Sequence, residues 1–200
     1  MGFNFKYQKH DEKVDRMTES HSGNLYYIHG YLSNPDGSKA TILKKELHAI
    51  PVKYLSVPAE ELIVRDCLDE IIQTIGEHKN VILIGSSLGG CLVSKLVLEI
   101  PDNIKQVFLL NPAIIPPDID ISSIPDMPQT ILKDMKDDRL FSQKLDCQIT
   151  VFSATEDTVV PPEWVIRFAQ FHEATVRFFH DDHRFTKHLD KLPRLIKSFM

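Results

Sequence analysis

The chain has 200 residues, of which 42% are hydrophobic and 26% are charged, and these proportions are typical of one globular domain. Its net charge of −5 provides no basic surface for nucleic acid, and no apolar run approaches the roughly 20 residues needed to cross a membrane. Three widely spaced cysteines, and an N-terminus without the apolar core of a signal peptide, favour a cytoplasmic protein with reduced thiols.

Strand and helix patterns take turns along most of the chain. Residues 1–22 are polar and charge-rich, and the alternation of Phe3, Phe5 and Tyr7 suggests a short edge strand. Apolar runs bounded by turn residues predict strands over 24–30, 52–58, 81–85, 106–112, 148–154 and 175–181. Helical spacing predicts helices over 37–50 with Ser38 as the cap, 60–77, 89–100, 162–172, and a last one marked by Leu189, Leu192, Ile196 and Phe199.

Six strands separated by helices predict a single α/β domain over residues 1–200, with a mostly parallel sheet and helices on both faces. Such sheets place their binding sites beyond the carboxyl ends of the strands. Residues 112–146 interrupt the alternation, because they hold five of the twelve prolines and one helical patch near 129–136. Since this insertion follows a strand, it is expected to form either a small cap over a site or a surface excursion without a role in binding.

Residues 85–89, with the sequence GSSLG, match the pattern G-x-S-x-G in one register, which centres on Ser87 and not on Ser86. The motif lies between a predicted strand and a predicted helix, where a sharp turn would force its central residue into a strained conformation. A side chain on either flanking glycine would clash there, and the serine oxygen would be held out above the sheet. The alternative is an ordinary tight turn between a strand and a helix.

A serine hydroxyl needs a base to take its proton, and that base is normally a histidine oriented by a carboxylate. Asp157 follows the strand 148–154 and is the preferred acid, with Glu156 as its nearest competitor; Asp157 could instead simply cap a turn. His183 lies on the loop after the last strand and is the preferred base. The chain after residues 106–110 offers Asn111, which is not an acid. Three other histidines follow the acid: His172 is expected to end a helix, His180 to pack or to hydrogen-bond structurally because it continues the alternation of its strand, and His188 to lie in the last helix.

Attack on a carbonyl carbon creates an oxyanion that needs two hydrogen-bond donors. The N–H of Leu88, directly after the serine, is one predicted donor. Tyr31 follows the first strong strand at the same edge of the sheet, and its N–H is the second, with Gly30 allowing the chain to turn. His29 is expected to be a scaffold residue.

The run HDDHRF at 180–185 could also suggest a metal site, because histidine and aspartate are good ligands for zinc or iron. Consecutive residues of a strand point to opposite sides, however, so four ligands in a row would not converge. No metal is therefore expected.

Together, the segments YIHGYLSNPDGSKA, LIGSSLGG, LLNPAI, ATEDTVVP and HDDHRF resemble the alpha/beta-hydrolase superfamily, and most closely its small YqiA-type esterases. The resemblance covers nearly the whole chain from about residue 24. It implies the alpha/beta-hydrolase fold and carboxylic-ester hydrolysis by Ser87, Asp157 and His183, without a cofactor. The short stretch 112–146 replaces the larger cap of many relatives, so their substrate preferences do not carry over.

The expected function is therefore hydrolysis of a small-molecule ester or thioester with a short to medium acyl chain, through an acyl-enzyme on the serine. Six residues are expected either to line an apolar pocket for the acyl chain or to belong to the core or the rim: Tyr31, Leu32, Ile114, Ile115, Val159 and Val160. The alternative is a protein-binding module that keeps the hydrolase fold and acts through its surface. Reaction of the serine with a fluorophosphonate probe would separate the two.

Overall fold

The computed structural model describes residues 24–200, in which six strands form one parallel sheet in the order β2-β1-β3-β4-β5-β6. The strands are β1 (Leu25–Ile28), β2 (Ile50–Pro51), β3 (Val81–Ser86), β4 (Ile104–Leu110), β5 (Gln148–Ala154) and β6 (Thr175–Phe179). Because every neighbouring pair is parallel, all six carboxyl ends meet at one edge of the sheet. The prediction of a six-stranded parallel sheet is confirmed.

Helices occupy the crossovers between the strands, as parallel pairing requires. They are α1 (Ser38–Leu47), α2 (Val64–Ile75), α3 (Leu88–Glu99), α4 (Gln129–Met135), α5 (Pro162–His172) and α6 (Leu192–Lys197). Four short 3₁₀ turns accompany them, at Ala59–Glu61, Pro101–Asn103, Ile121–Ser123 and Asp138–Phe141. No helix within residues 24–200 combines the length and apolar character needed to span a bilayer.

The sheet separates two hydrophobic cores. Helices α2, α3, α4 and α5 cover one face, and α1 and α6 cover the other. Successive side chains of β3 alternate between them, so that Leu83 belongs to the first core and Ile84 to the second. This double burial explains why the strand is a continuous apolar run and not an alternating one.

Most predicted boundaries differ from the observed ones by a few residues, and three of these differences reveal the local structure. The strand predicted at 52–58 is instead the two-residue β2, whose last hydrogen bond to β1 runs from the N–H of Val52 to the carbonyl oxygen of Tyr27 at 2.9 Å. Ser38 is the first residue of α1 and does not cap it; Gly37 occupies the cap position. β4 stops at Leu110 because Asn111 turns to a left-handed conformation with φ of 45°. The edge strand predicted near Phe3 lies outside the described residues.

The insertion at 112–146 packs against the first core. The apolar side of α4, formed by Ile131, Leu132 and Met135, is buried in the cluster that also contains α2 and α3. A buried ion pair joins Asp137 of the insertion to Lys95 of α3, with 3.1 Å between Nζ and Oδ2. A role for this segment as a cap over the site stays a prediction.

Candidate active site

Ser87 lies at the sharp turn between β3 and α3, with φ of 55° and ψ of −119°. Around it the backbone segments are so close that a methyl group at Gly85 would lie 2.5 Å from the carbonyl oxygen of Gly89. A methyl group at Gly89 would in turn overlap the carbonyl oxygens of Ile28 and His29 at the end of β1. The two glycines therefore permit a turn that presses the start of α3 against the ends of two strands.

The turn is also fixed by hydrogen bonds to its neighbours. The Ser87 N–H donates to the carbonyl oxygen of Leu110, the last residue of β4, at 3.0 Å. The Ser87 carbonyl oxygen accepts from the N–H of Ala113, the second residue of the insertion, also at 3.0 Å. The Ser87 hydroxyl, in contrast, makes no hydrogen bond with another residue in 24–200, His183 included. Hydrogen bonds therefore hold the backbone of the turn on both sides but do not hold the hydroxyl.

Asp157 and His183 are joined directly, with 2.7 Å between the Asp157 Oδ2 and the His183 Nδ1. The Asp157 side chain is only 2% exposed. Its other oxygen, Oδ1, accepts from the N–H groups of Val159 at 2.8 Å and Val160 at 2.9 Å. The carboxylate thus caps its own turn with one oxygen and contacts the imidazole with the other. Its role as the catalytic acid stays a prediction.

This pairing determines which nitrogen of His183 is available for chemistry. An ionised carboxylate can only accept hydrogen bonds, so Nδ1 of His183 must be the donor. In the neutral ring, Nε2 then carries a free lone pair and can take a proton.

Two unpaired backbone donors lie beside the serine. Leu88 is the first residue of α3, and its N–H has no partner within the described part of the chain; the same holds for the N–H of Tyr31. A methyl group at Gly30 would lie 3.1 Å from the Ser87 Cβ and 3.7 Å from its Oγ, so the end of β1 lies against the serine side chain. Free N–H groups and the N-terminus of a helix both favour negative charge at this position.

His29 supports the chain just before Gly30. Its ring stacks on Tyr54 with 4.4 Å between ring centroids, and the Tyr54 hydroxyl donates to the His29 carbonyl oxygen at 2.8 Å. Burial lowers the pKa of His29, which keeps the ring neutral. His29 is a buried scaffold residue in the structure, as its position before the serine suggested.

The six residues expected to contact substrate divide into two groups. Leu32 and Val159 are exposed, and Tyr31 is half-buried, whereas three belong to the first core: Ile114, Ile115 and Val160. Two surface cavities, of about 390 and 310 Å³, are lined by residues of 121–139 and 166–178, and none of the six lines either of them. Contact of these side chains with a substrate stays a prediction.

The competing residues are engaged elsewhere. Glu156 is exposed and pairs with Lys187 at 2.7 Å. His172 contacts the carbonyl oxygen of Leu140 through Nε2 at 2.8 Å. His180, which was expected to pack or to hydrogen-bond, is not packed: its side chain is 77% exposed and lies 3.4 Å from the Oε1 of Glu156. Within residues 24–200, no three side chains of the histidine, cysteine, aspartate or glutamate type are arranged to hold a metal ion.

One important residue was missed by sequence reasoning, which considered Asn111 only as a missing acid. Asn111 is buried, and its Oδ1 accepts from the Ala154 N–H at 2.7 Å while its Nδ2 donates to the His183 carbonyl oxygen at 3.0 Å. It therefore links the strand before Asp157 to the loop that carries His183. The available signal was an asparagine before a proline at a strand end, a position where left-handed conformations favour this residue.

The chain was compared with known protein families and solved structures. Residues 24–200 match the model of the uncharacterised protein family UPF0227. No curated protein sequence matches the chain. Among solved structures, Est1E from Butyrivibrio proteoclasticus with bound ferulic acid superposes with a TM-score of 0.73 at 16% identity, covering 92% of this chain and 90% of that one.

Two further structures show the same similarity. Mouse alpha/beta hydrolase domain-containing protein 10 has a TM-score of 0.67 at 18% identity, with 89% of each chain covered. A monoacylglycerol lipase from Paleococcus ferrophilus has a TM-score of 0.66 at 16% identity, covering 88% of this chain and 92% of the lipase. At such identities the similarity shows the fold, which confirms the resemblance stated from the motifs. The chain belongs to the UPF0227 family and has the alpha/beta-hydrolase fold.

Proposed function

We propose that this protein is a serine hydrolase that cleaves carboxylic esters or thioesters through an acyl-enzyme on Ser87. The main support for the proposal is the distance of 2.7 Å between the Oδ2 of the buried Asp157 and the Nδ1 of His183. These two residues lie on the loops that follow β5 and β6, at the edge of the sheet where Ser87 also lies. A strained serine, a carboxylate and an imidazole in this chain order are the components of nucleophilic acyl transfer.

In the first step, Nε2 of His183 takes the hydroxyl proton as the Ser87 Oγ attacks the carbonyl carbon. A rotation of the hydroxyl side chain establishes the Ser87–His183 hydrogen bond once substrate is bound, since catalytic hydrogen bonds are often formed only in that complex. Asp157 stabilises the imidazolium that results and keeps the ring in one orientation.

Negative charge develops on the carbonyl oxygen as the tetrahedral intermediate forms. The N–H groups of Tyr31 and Leu88 donate to it, because neither has another partner among the described residues. A preorganised donor of this kind contributes about 3 kcal/mol to lowering the barrier. His183 then gives its proton to the departing alcohol or thiol, and a water molecule releases the acid by the same steps in reverse.

The test is turnover of a graded panel of acyl esters and thioesters by the wild-type protein and by Ser87→Ala. The panel includes a feruloyl ester and a monoacylglycerol, because one structure of this fold holds bound ferulic acid and another is that of a monoacylglycerol lipase. Short to medium acyl chains are expected to be cleaved, and Ser87→Ala should lose turnover while keeping the wild-type melting temperature. Ser86→Ala is the matched control and should remain active.

Two results would reject the proposal. If Ser87→Ala retained wild-type turnover, the nucleophile would be another group. If the folded wild-type protein cleaved no member of the panel and did not react with a fluorophosphonate, the chain would instead be a non-catalytic binding module.

A further inference from the structure

The loop that carries His183 contains a second carboxylate–imidazole pair. Asp181 is 0% exposed, and its Oδ2 lies 2.8 Å from Nδ1 of His188, whose side chain is partly exposed. From the sequence, Asp181 was considered only in a rejected metal site, and His188 was expected in the last helix, which in fact begins at Leu192. Since the carboxylate can only accept, His188 must donate to it through Nδ1.

Asp181 joins the two ends of this loop. Its Oδ1 accepts from the N–H of Asp182 at 2.8 Å and from the N–H of Lys187 at 3.1 Å. With His188, the carboxylate receives three hydrogen bonds, one from the start of the loop and two from its end. The four residues between these contacts are His183, Arg184, Phe185 and Thr186.

The backbone of Asp181 extends the same connection to the acid. Its carbonyl oxygen accepts from the N–H of Glu156, the residue before Asp157, at 3.0 Å. The closed loop that holds His183 is thus attached directly to the loop that holds Asp157.

The enclosed loop is strained. Phe185 has φ of 59° and is completely buried, and a bulky side chain rarely adopts that left-handed conformation. Such strain, of about 1–3 kcal/mol, persists only where the surrounding contacts impose it. Without the connection between its ends, the loop can relax and carry the imidazole away from its position.

The buried carboxylate of Asp181 can remain ionised in this arrangement. Burial alone would raise the pKa of Asp181, but the hydrogen bonds from Lys187, His188 and Asp182 outweigh it, so the pKa lies below its ordinary value. At neutral pH the carboxylate is ionised, and it holds its donors more strongly than a neutral group would.

We infer that Asp181 and His188 are positioning residues for His183: their hydrogen bond closes the strained loop and sets the imidazole at the distance that proton transfer from Ser87 requires. This inference rests on the proposed hydrolase function. Displacement of a catalytic group by about 1 Å can reduce a rate by about a hundredfold, so a modest relaxation of the loop is sufficient to lower turnover.

The experiment compares His188→Leu, which removes the donor, with His188→Asn, whose amide nitrogen can replace Nδ1, and with Asp181→Asn. Active sites are counted by reaction with a fluorophosphonate, and kcat is expressed per reactive serine so that unfolded protein does not contribute. We expect His188→Leu and Asp181→Asn to lower kcat by about tenfold to a hundredfold with KM within about threefold of wild type. His188→Asn should recover most of the loss, and the exposed control His180→Asn should match wild type.

The outcomes are distinguishable. Unchanged kcat per reactive serine in His188→Leu would overturn the positioning role, even if its melting temperature falls, because the pair would then serve stability alone. Equal loss in His188→Leu and His188→Asn would also overturn it. Should Asp181→Asn fail to fold, the two His188 variants decide the question. Absence of Ser87-dependent turnover in the wild-type protein would reject the proposed function itself, and the positioning role with it.

Discussion

Asn111 donates a hydrogen bond through its side-chain Nδ2 to the backbone carbonyl oxygen of His183, at 3.0 Å. The same amide accepts from the Ala154 N–H through Oδ1 at 2.7 Å. Asn111, buried at the end of β4, therefore binds the backbone of the proposed base His183, while Asp157 binds the imidazole ring of the same residue. Ser87 is attached to the same strand end, because its N–H donates to Leu110.

Replacement of Asn111 by Asp should lower kcat/KM by at least about tenfold, because an ionised carboxylate would oppose the His183 carbonyl oxygen in a buried position. We also expect a destabilisation of about 1–3 kcal/mol, measured by denaturant unfolding. Asn80→Asp is the matched control, since Asn80 is also left-handed, with φ of 55°, but is exposed. Wild-type kinetics in Asn111→Asp would show that this link is not needed.

Asp157→Asn tests the assignment of the acid. The amide can still cap the turn at Val159 and Val160, but it no longer stabilises the imidazolium of His183 or selects its tautomer. The corresponding change in a well-studied serine protease lowers kcat by about 10⁴-fold, and a loss of about 10³-fold or more is expected here. Steady-state kinetics beside Glu156→Gln provide the comparison. If Glu156→Gln showed the larger loss, the acid would have been assigned to the wrong residue.

Gly89→Ala should disrupt the turn at Ser87, because the added methyl group would overlap the carbonyl oxygens of Ile28 and His29. Overpacking of this kind costs about 1–3 kcal/mol or more, and it should move the Leu88 N–H away from the serine. Thermal melting and ester turnover measure the two effects. The control is Gly37→Ala, where a methyl group would lie 3.3 Å from its nearest neighbour at ordinary negative φ. Equal behaviour of the two variants would contradict the close packing described at Gly89.

Asp137→Asn should destabilise the protein by about 3–5 kcal/mol, because it leaves the buried ammonium of Lys95 without its partner. The two side chains are only 10% and 8% exposed. Denaturant unfolding measures the loss, and Asp138→Asn, at the exposed neighbouring carboxylate, should change stability by less than about 0.5 kcal/mol. A loss at Asp137 no larger than that at Asp138 would show that the ion pair contributes little.

The same pair predicts a pH dependence. Burial opposes ionisation of Asp137, but hydrogen bonds from Arg139 and Lys95 lower its pKa from 3.8 to about 2. Since the folded-state pKa is depressed, the contribution to stability is present above pH 3.8 and is lost as the pH falls towards 2. Unfolding measured across this window should converge for wild type and Asp137→Asn at the acidic end. A constant difference between the two proteins down to pH 2 would contradict the assignment.

Local sequence patterns were sufficient for much of the fold. The run VILI predicted the strand β3, and the spacing of Gly85, Ser87 and Gly89 predicted the sharp turn after it. Those features depend on residues close together in the chain, where periodicity and glycine have direct physical meaning. The exposure of Phe178 and His180 was not predictable in this way, because the alternation within β6 does not show that this strand lies at the edge of the sheet.

The residues that hold the loop of the proposed base His183 could not be predicted from local patterns. Asn111, Asp181 and His188 act through hydrogen bonds to backbone groups, and such contacts leave no characteristic spacing in a sequence. Asp181 and Asp182 suggested metal ligands when considered by residue type alone, although both carboxylates in fact accept from N–H groups of their own loop. Only the folded structure shows that the two aspartates stabilise this loop by accepting hydrogen bonds from its backbone.

The most direct test of the central claim is covalent labelling by a fluorophosphonate, followed by mass spectrometry of the peptide that contains residues 81–100. The account predicts one adduct, located on Ser87 and absent from Ser87→Ala, with labelling greatly slowed in a variant in which His183 is replaced by alanine. An adduct on Ser86 or elsewhere in the chain, or labelling of Ser87 at the same rate without the His183 imidazole, would contradict it.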